Sequence, residues 1–86
     1  MGEKVVGKVT HFFSKIGVAA IEITDGELKV GDTIRIKGAS TDFQQPVDSM
    51  QLDNAAIEKA VPGNSVGIKA TDAARKNDAV YVVTED

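Results

Sequence analysis

Hydrophobic and polar positions alternate with a period of two along most of this chain, the spacing expected of strands that bury one face. The cleanest stretch is Thr33-Ile-Arg-Ile-Lys37, with Ile34 and Ile36 on one side and Thr33, Arg35 and Lys37 on the other. In Ile16–Thr24, Ile21 and Ile23 oppose Glu22 and Thr24, and later Val66, Ile68 and Ala70 oppose Lys69 and Thr71. Lys4 to Phe13 is rich in Val, Thr and Phe, and Gly7 within it predicts a bulge or a close backbone approach. Phe43 to Leu52 reads as a longer strand. Its Pro46 lacks the ladder donor and belongs at an edge, a bulge or a bend. Ala79 to Thr84 closes the series, while Ile57 to Ala60 reads either as a strand or as an irregular link.

Between these runs the chain carries turn chemistry. Asp25-Gly26, Gly38 to Asp42, Asp53 to Ala56 and Asp72 to Asp78 are polar connections. Pro62-Gly63 predicts a type II turn, because Pro presets φ and Gly supplies the positive φ that follows. Six or seven short, evenly spaced strands predict a sandwich or a barrel. A barrel removes exposed sheet edges, which matters where no helix covers them. The expectation is one all-β domain over residues 1–86: a small closed antiparallel β-barrel of six to seven strands.

Composition narrows the chemistry. Eighty-six residues support one thin core, burying a little over ~60% of the unfolded surface. With no Trp, one Tyr and three Phe, that core must come from Val, Ile, Ala and a few Phe. The absence of cysteine excludes disulfides and thiolate metal sites. No charged segment followed by an apolar run opens the chain, and Val6 stands where a myristoylation motif wants Ser or Thr. No apolar run approaches ~18 residues, so the expectation is a cytoplasmic protein without a membrane span. The net charge of −3 argues against nucleic-acid binding through overall charge.

Catalysis and cofactors find little support. His11, Ser14 and Ser49 are present, but nothing local in sequence draws a nucleophile, base and carboxylate together. Asp25, Glu27 and Asp32 lack the dense oxygen spacing of a calcium loop. No Gly-x-x-x-x-Gly-Lys-Ser/Thr occurs, so no phosphate cradle and no GTP site are expected. Catalytic residues, metal ligands and cofactors are all expected to be absent.

Four motifs, in order, carry a family resemblance. Gly26-Glu-Leu-Lys-Val-Gly-Asp32 resembles the signature loop of the β-barrel that follows the GTPase domain in elongation factor Tu and its relatives. In it Leu28 and Val30 are expected to tuck onto the barrel, Gly31 to permit the turn, and Asp32 to bond backbone amides. Val47-Asp-Ser-Met-Gln51 resembles the strand that follows. Ala60-Val-Pro-Gly-Asn-Ser-Val-Gly-Ile68 is similar to the family's Ala-x-Pro-Gly-x-x-Val-Gly segment, which contains Pro62 and Gly63. Lys76-Asn-Asp-Ala-Val-Tyr81 resembles the closing turn and strand, with Asn77 where glycine is more usual. The resemblance spans roughly Val5 to Val83. It is closer still to stand-alone elongation-factor-like proteins of this size and to the C-terminal barrel of collagenase-like peptidases, some of which take part in RNA modification.

In the translational GTPases this barrel contacts ribosomal RNA and the aminoacyl end of tRNA. The resemblance thus implies an RNA-facing patch at Lys8, His11, Phe13, Lys15, Arg35 and Lys37, with cations on phosphate and a ring stacked on a base. Lys69 and Arg75-Lys76 add positive charge. Adjacent Phe12 and Phe13 should place one ring in the core and one outside. The alternative is that these lysines are solvated strand-edge residues that deter aggregation. Two functions follow: a binding module for RNA or a ribonucleoprotein such as tRNA or the ribosome, or a protein-interaction subunit accessory to a collagenase-like enzyme.

Overall fold

A computed structural model describes residues 2–53 and 55–84. Ten strands and no helix occur among them, so no helix is long and apolar enough to cross a membrane. In chain order they are β1 (Gly2–Phe13), β2 (Val18–Ile23), β3 (Leu28–Lys29), β4 (Thr33–Lys37) and β5 (Asp42–Pro46). There follow β6 (Met50–Leu52), β7 (Ala55–Ile57), β8 (Lys59–Ala60), β9 (Ser65–Lys69) and β10 (Ala79–Thr84). Eight form one antiparallel sheet in the order β5-β4-β10-β1-β2-β9-β6-β7, and β3 pairs with β8 apart from it.

The all-β expectation holds, but the closed barrel does not. No ladder joins β5 to β7 among the described residues, so the sheet has two edges. The strands are also shorter and more numerous than expected. Phe43–Leu52 breaks after Pro46 into β5 and β6, because Val47 ties its backbone to a neighbouring turn. Its N–H donates to the Asp32 carbonyl (2.8 Å), and its carbonyl accepts from Gly31 N–H (2.9 Å). Pro46 itself ends an edge strand, as its missing donor requires. Ile57–Ala60 divides at Glu58, whose carbonyl accepts from Val30 N–H (2.9 Å), so that β7 and β8 enter different sheets. The turn expected at Asp53 to Ala56 is a tight β6–β7 hairpin in which Leu52 pairs with Ala55; Asn54 lies outside the described residues.

A side chain bridges the open seam. Gln45 on β5 is only 4% exposed. Its Nε2 donates to the Lys69 carbonyl (2.7 Å), and its Oε1 accepts from Thr71 N–H (2.6 Å). The curled sheet thus brings its first strand back to the end of β9, and one amide stands where a ladder is missing.

The core is aliphatic, as the composition dictates. Ile21, Ile23, Ile34, Ile36, Val66 and Ile68 are buried in the positions the alternation assigns them, and Phe12 and Phe43 pack at its margin. The turn motifs behave as read, with one exception. Leu28 is fully buried and the Asp32 carboxylate accepts from Lys29 N–H (2.9 Å), but Val30 is 40% exposed and does not tuck in. Gly31 (φ 99°) and Gly63 (φ 96°) occupy backbone conformations closed to most side chains, and Asn77 takes the same region at φ 75°. Asn64 N–H closes the Pro62-Gly63 turn onto the Val61 carbonyl (3.1 Å).

Candidate functional site

Strict alternation along β1 puts Lys8 on the opposite face from His11 and Phe13, since their numbers differ in parity. The structure resolves this with a bulge. Between Val9 and His11 the pairing with β2 slips by one residue, and the Thr10 hydroxyl donates to the Ala20 carbonyl (3.2 Å) at that point. Beyond the slip His11 and Phe13 turn outward beside Lys8, while Phe12 turns toward the core. The rings of His11 and Phe13 then meet, centroids 4.4 Å apart and tilted by 58°. An earlier slip between Val5 and Gly7 meets the expectation for Gly7, whose missing Cβ leaves room for the Glu22 carbonyl.

The six residues of the expected patch lie on β1, in the β1–β2 turn and on β4. Lys8, Ala79 and Lys37 stand in one register row across β1, β10 and β4, so the two lysine backbones lie about 10 Å apart. Lys15 sits in the β1–β2 turn, next to the exposed rings. Arg35 is committed elsewhere. Its Nε and Nη2 donate to the two carboxylate oxygens of Asp42 (both 2.8 Å), and its Nη1 donates to Glu3 (2.8 Å). These bonds raise the guanidinium pKa further above its ordinary value, Asp42 contributing most, and Arg35 lowers that of Asp42 in return. An arginine fork held by two carboxylates has its charge offset locally.

Carboxylates read as turn formers have the same character. Glu27 pairs with Lys59 (2.7 Å), and this bond holds its carboxyl below the usual range. Asp78, within a stretch read only as a polar connection, is 5% exposed and accepts from Arg75 N–H (2.8 Å). No group of three or more His, Asp or Glu among the described residues is arranged to hold a metal ion.

Next to the ring pair lies a feature that the reading by charge missed. The outward row running from His11 through Ala20, Gly67 and Gln51 to Ala56 contains small residues at its centre. The flanking rows are larger: Phe13, Val18 and Lys69 on one side, and Lys8, Glu22 and Ser65 on the other. The result is a shallow trough of about 460 Å³, with Phe13 and Ile16 at one rim and Gln51, Asp53 and Ser65 at the other. Phe13 is 46% and Ile16 64% exposed, and the two line the trough together. Gly67 keeps the floor low, since a Cβ there meets Val18 Cγ1 at 3.3 Å. The sequence did hold a signal for this trough. Ala20 and Gly67 occupy outward positions of strands where polar side chains are the rule.

No protein-family model matches the chain. It is 40% identical over 81 residues to an uncharacterized protease of Methanocaldococcus jannaschii, the match covering 93% of this chain and 20% of that protein. To a collagenase of Porphyromonas gingivalis it is 38% identical over 77 residues, covering 88% of this chain and 21% of the relative. Elongation factor 1-alpha of Pyrococcus horikoshii is similar at 29% identity over 77 residues, covering 81% of this chain and 18% of that one. Among solved structures, the C-terminal domain of a Geobacillus thermoleovorans protein assigned to the U32 peptidases superposes with a TM-score of 0.85. The identity there is 16%, and the match covers 92% of this chain and 91% of the other. The chain therefore shares this domain's fold and spans about a fifth of the curated relatives it matches. Of the two subgroups the motifs suggested, the collagenase-like one carries the stronger similarity, and a stand-alone elongation-factor-like protein finds no comparable support.

Proposed function

We propose that this chain is a non-catalytic binding module of the kind found at the C-terminal end of collagenase-like polypeptides, acting as an accessory partner to a larger enzyme body in the cytoplasm. The observation that carries this reading is the extent of the match. It uses 93% of this chain but only 20% of the relative, so what is shared is a module, with some four-fifths of the relative lying outside it. The surroundings of the titratable groups agree with a non-catalytic role. The His11 ring packs at a tilt against Phe13, and Asp42, Glu3 and Glu27 are engaged by Arg35 and Lys59. Affinity purification of the tagged chain from cell extract tests the reading. One large collagenase-type polypeptide is expected at near-stoichiometric yield, and recovery of the chain alone counts against it.

A second reading, contact with RNA or a ribonucleoprotein such as tRNA or the ribosome, is favoured by the exposed His11–Phe13 pair beside Lys8 and Lys15. It needs no GTP. Ribosomes or tRNA in the same purification, released by salt, would support it.

A further inference from the structure

We infer that the trough between the β1–β2 hairpin and the β6–β7 hairpin is a self-association surface, in which a second copy of this chain seats the tip of its own β1–β2 hairpin. This goes beyond the accessory role and stands or falls separately from it. The surface consists of a ridge beside a groove. Exposed Phe13 and Ile16 form the ridge at the hairpin tip, and Val18, Ala20, Val66 and Gly67 line the groove next to it. Together they make one contiguous apolar surface bordered by polar Gln51, Asp53 and Ser65, the layout of an interaction site and not of scattered exposed residues. The ridge is also held in place before any partner arrives. The Ile16 and Gly17 N–H groups both donate to the Phe13 carbonyl (3.2 and 2.8 Å), and Ala70 N–H, just past β9, donates to the Gly17 carbonyl (2.7 Å). A tip fixed this way loses little conformational freedom on docking.

Shape and charge together select a second copy as the occupant. A ridge and a groove side by side on one surface are complementary to themselves, because a twofold axis lying between them sets each copy's ridge in the other's groove. At about 460 Å³ the groove has room for the phenyl and isoleucine side chains of one ridge. The charges follow the same symmetry. Lys15 lies in the tip between Phe13 and Ile16, Asp53 lies at the far rim, and neither is in an ion pair among the described residues. Seating the tip across the groove carries each Lys15 toward the other copy's Asp53, so opposite charges meet twice. A nucleic-acid strand in the same groove brings phosphates against that carboxylate instead. Such an interface covers about a tenth of the 5245 Å² surface, or ~500 Å² per copy. The two sides together reach ~1,000 Å², the lower limit for a specific contact, so the dimer is weak and reversible.

Sedimentation velocity on the full chain, from micromolar to millimolar concentration, tests this. A reversible monomer–dimer equilibrium is expected, and a chain still monomeric at millimolar concentration overturns the inference. Ile16→Ser removes two contacts per dimer and should weaken association at least about tenfold, the loss of one modest hot spot. Val30→Ser, at an exposed valine outside this surface, should leave association unchanged, and equal effects of the two variants count against the trough. Lys15→Glu should weaken the dimer, and adding Asp53→Asn, which suits φ 51°, should restore part of the loss. No recovery in the double variant overturns the proposed seating. Circular dichroism checks that each variant is folded. In a mixture of isotope-labelled and unlabelled copies, the Ile16 methyls of one copy should show NOEs to Val18 and Ala20 methyls of the other. Contacts between copies that run only from Ile16 to Ile16 refute it. So does a chain that stays monomeric while its trough amides shift on adding single-stranded RNA or a collagenase-type polypeptide, which assigns the trough to that partner.

Discussion

Replacing Gln45 with methionine removes both bonds across the open seam while nearly conserving side-chain volume. The wild-type amide gives one bond to the Lys69 carbonyl at 2.7 Å and takes one from Thr71 N–H at 2.6 Å. A net intramolecular hydrogen bond contributes about 0.5–1.5 kcal/mol, so losing two costs about 1–3 kcal/mol. The middle of that range is expected: the amide is only 4% exposed, but a pocket of about 310 Å³ lined by Gln45, Lys69 and Thr71 lets water reach the two groups left unpaired. A domain of this size shifts its Tm by about 4–8 °C per kcal/mol, so a fall of about 8–16 °C should follow a loss of about 2 kcal/mol. Urea unfolding followed by far-UV circular dichroism measures the energy, the chain having no Trp to report it. Hydrogen exchange locates the effect, since the Thr71 amide should lose protection. Gln44→Met, one residue along on the exposed face of the same strand, is the control and should change stability by less than about 0.5 kcal/mol. A loss at Gln45 no larger than the control's, with Thr71 still protected, would refute the seam argument.

Gly7→Ala should destabilise the fold by about 1–3 kcal/mol, read by thermal melting, because its Cβ meets the Glu22 carbonyl across the β1–β2 ladder. Asn77→Ala should cost about 1 kcal/mol or more in denaturant unfolding, whereas Asn77→Gly should be neutral or stabilising, since the position sits at φ 75°. Asp42 and Glu27 have pKa values depressed by Arg35 and Lys59 respectively. A depressed carboxylate contributes stability above its unfolded pKa and loses it as the pH falls through the folded one. Melting temperature should therefore hold near neutrality and decline below about pH 4, and Asp42→Asn should flatten part of that decline.

The inward faces of the strands and the chemistry of the turns were legible in the chain. Alternation in Thr33–Lys37 and Ser65–Lys69 depends on neighbours two residues apart, and the Asp32, Gly63 and Asn77 turns on one or two backbone angles. Such features are local, so local sequence determines them. The candidate site was legible only in part. His11 and Phe13 could be paired by their spacing, but Lys8 joins their face only because Thr10 bulges against Ala20 on another strand. Arg35 looked like a free cation in its strand, and Glu3, thirty-two residues away, helps to neutralise it. The trough exists because Ala20, Gly67 and Gln51 fall into register across three strands, and the open seam because Gln45 reaches β9 where no ladder forms. Periodicity specifies which way a side chain points. What it meets there depends on pairing between distant segments, and that was decided by the tertiary structure alone.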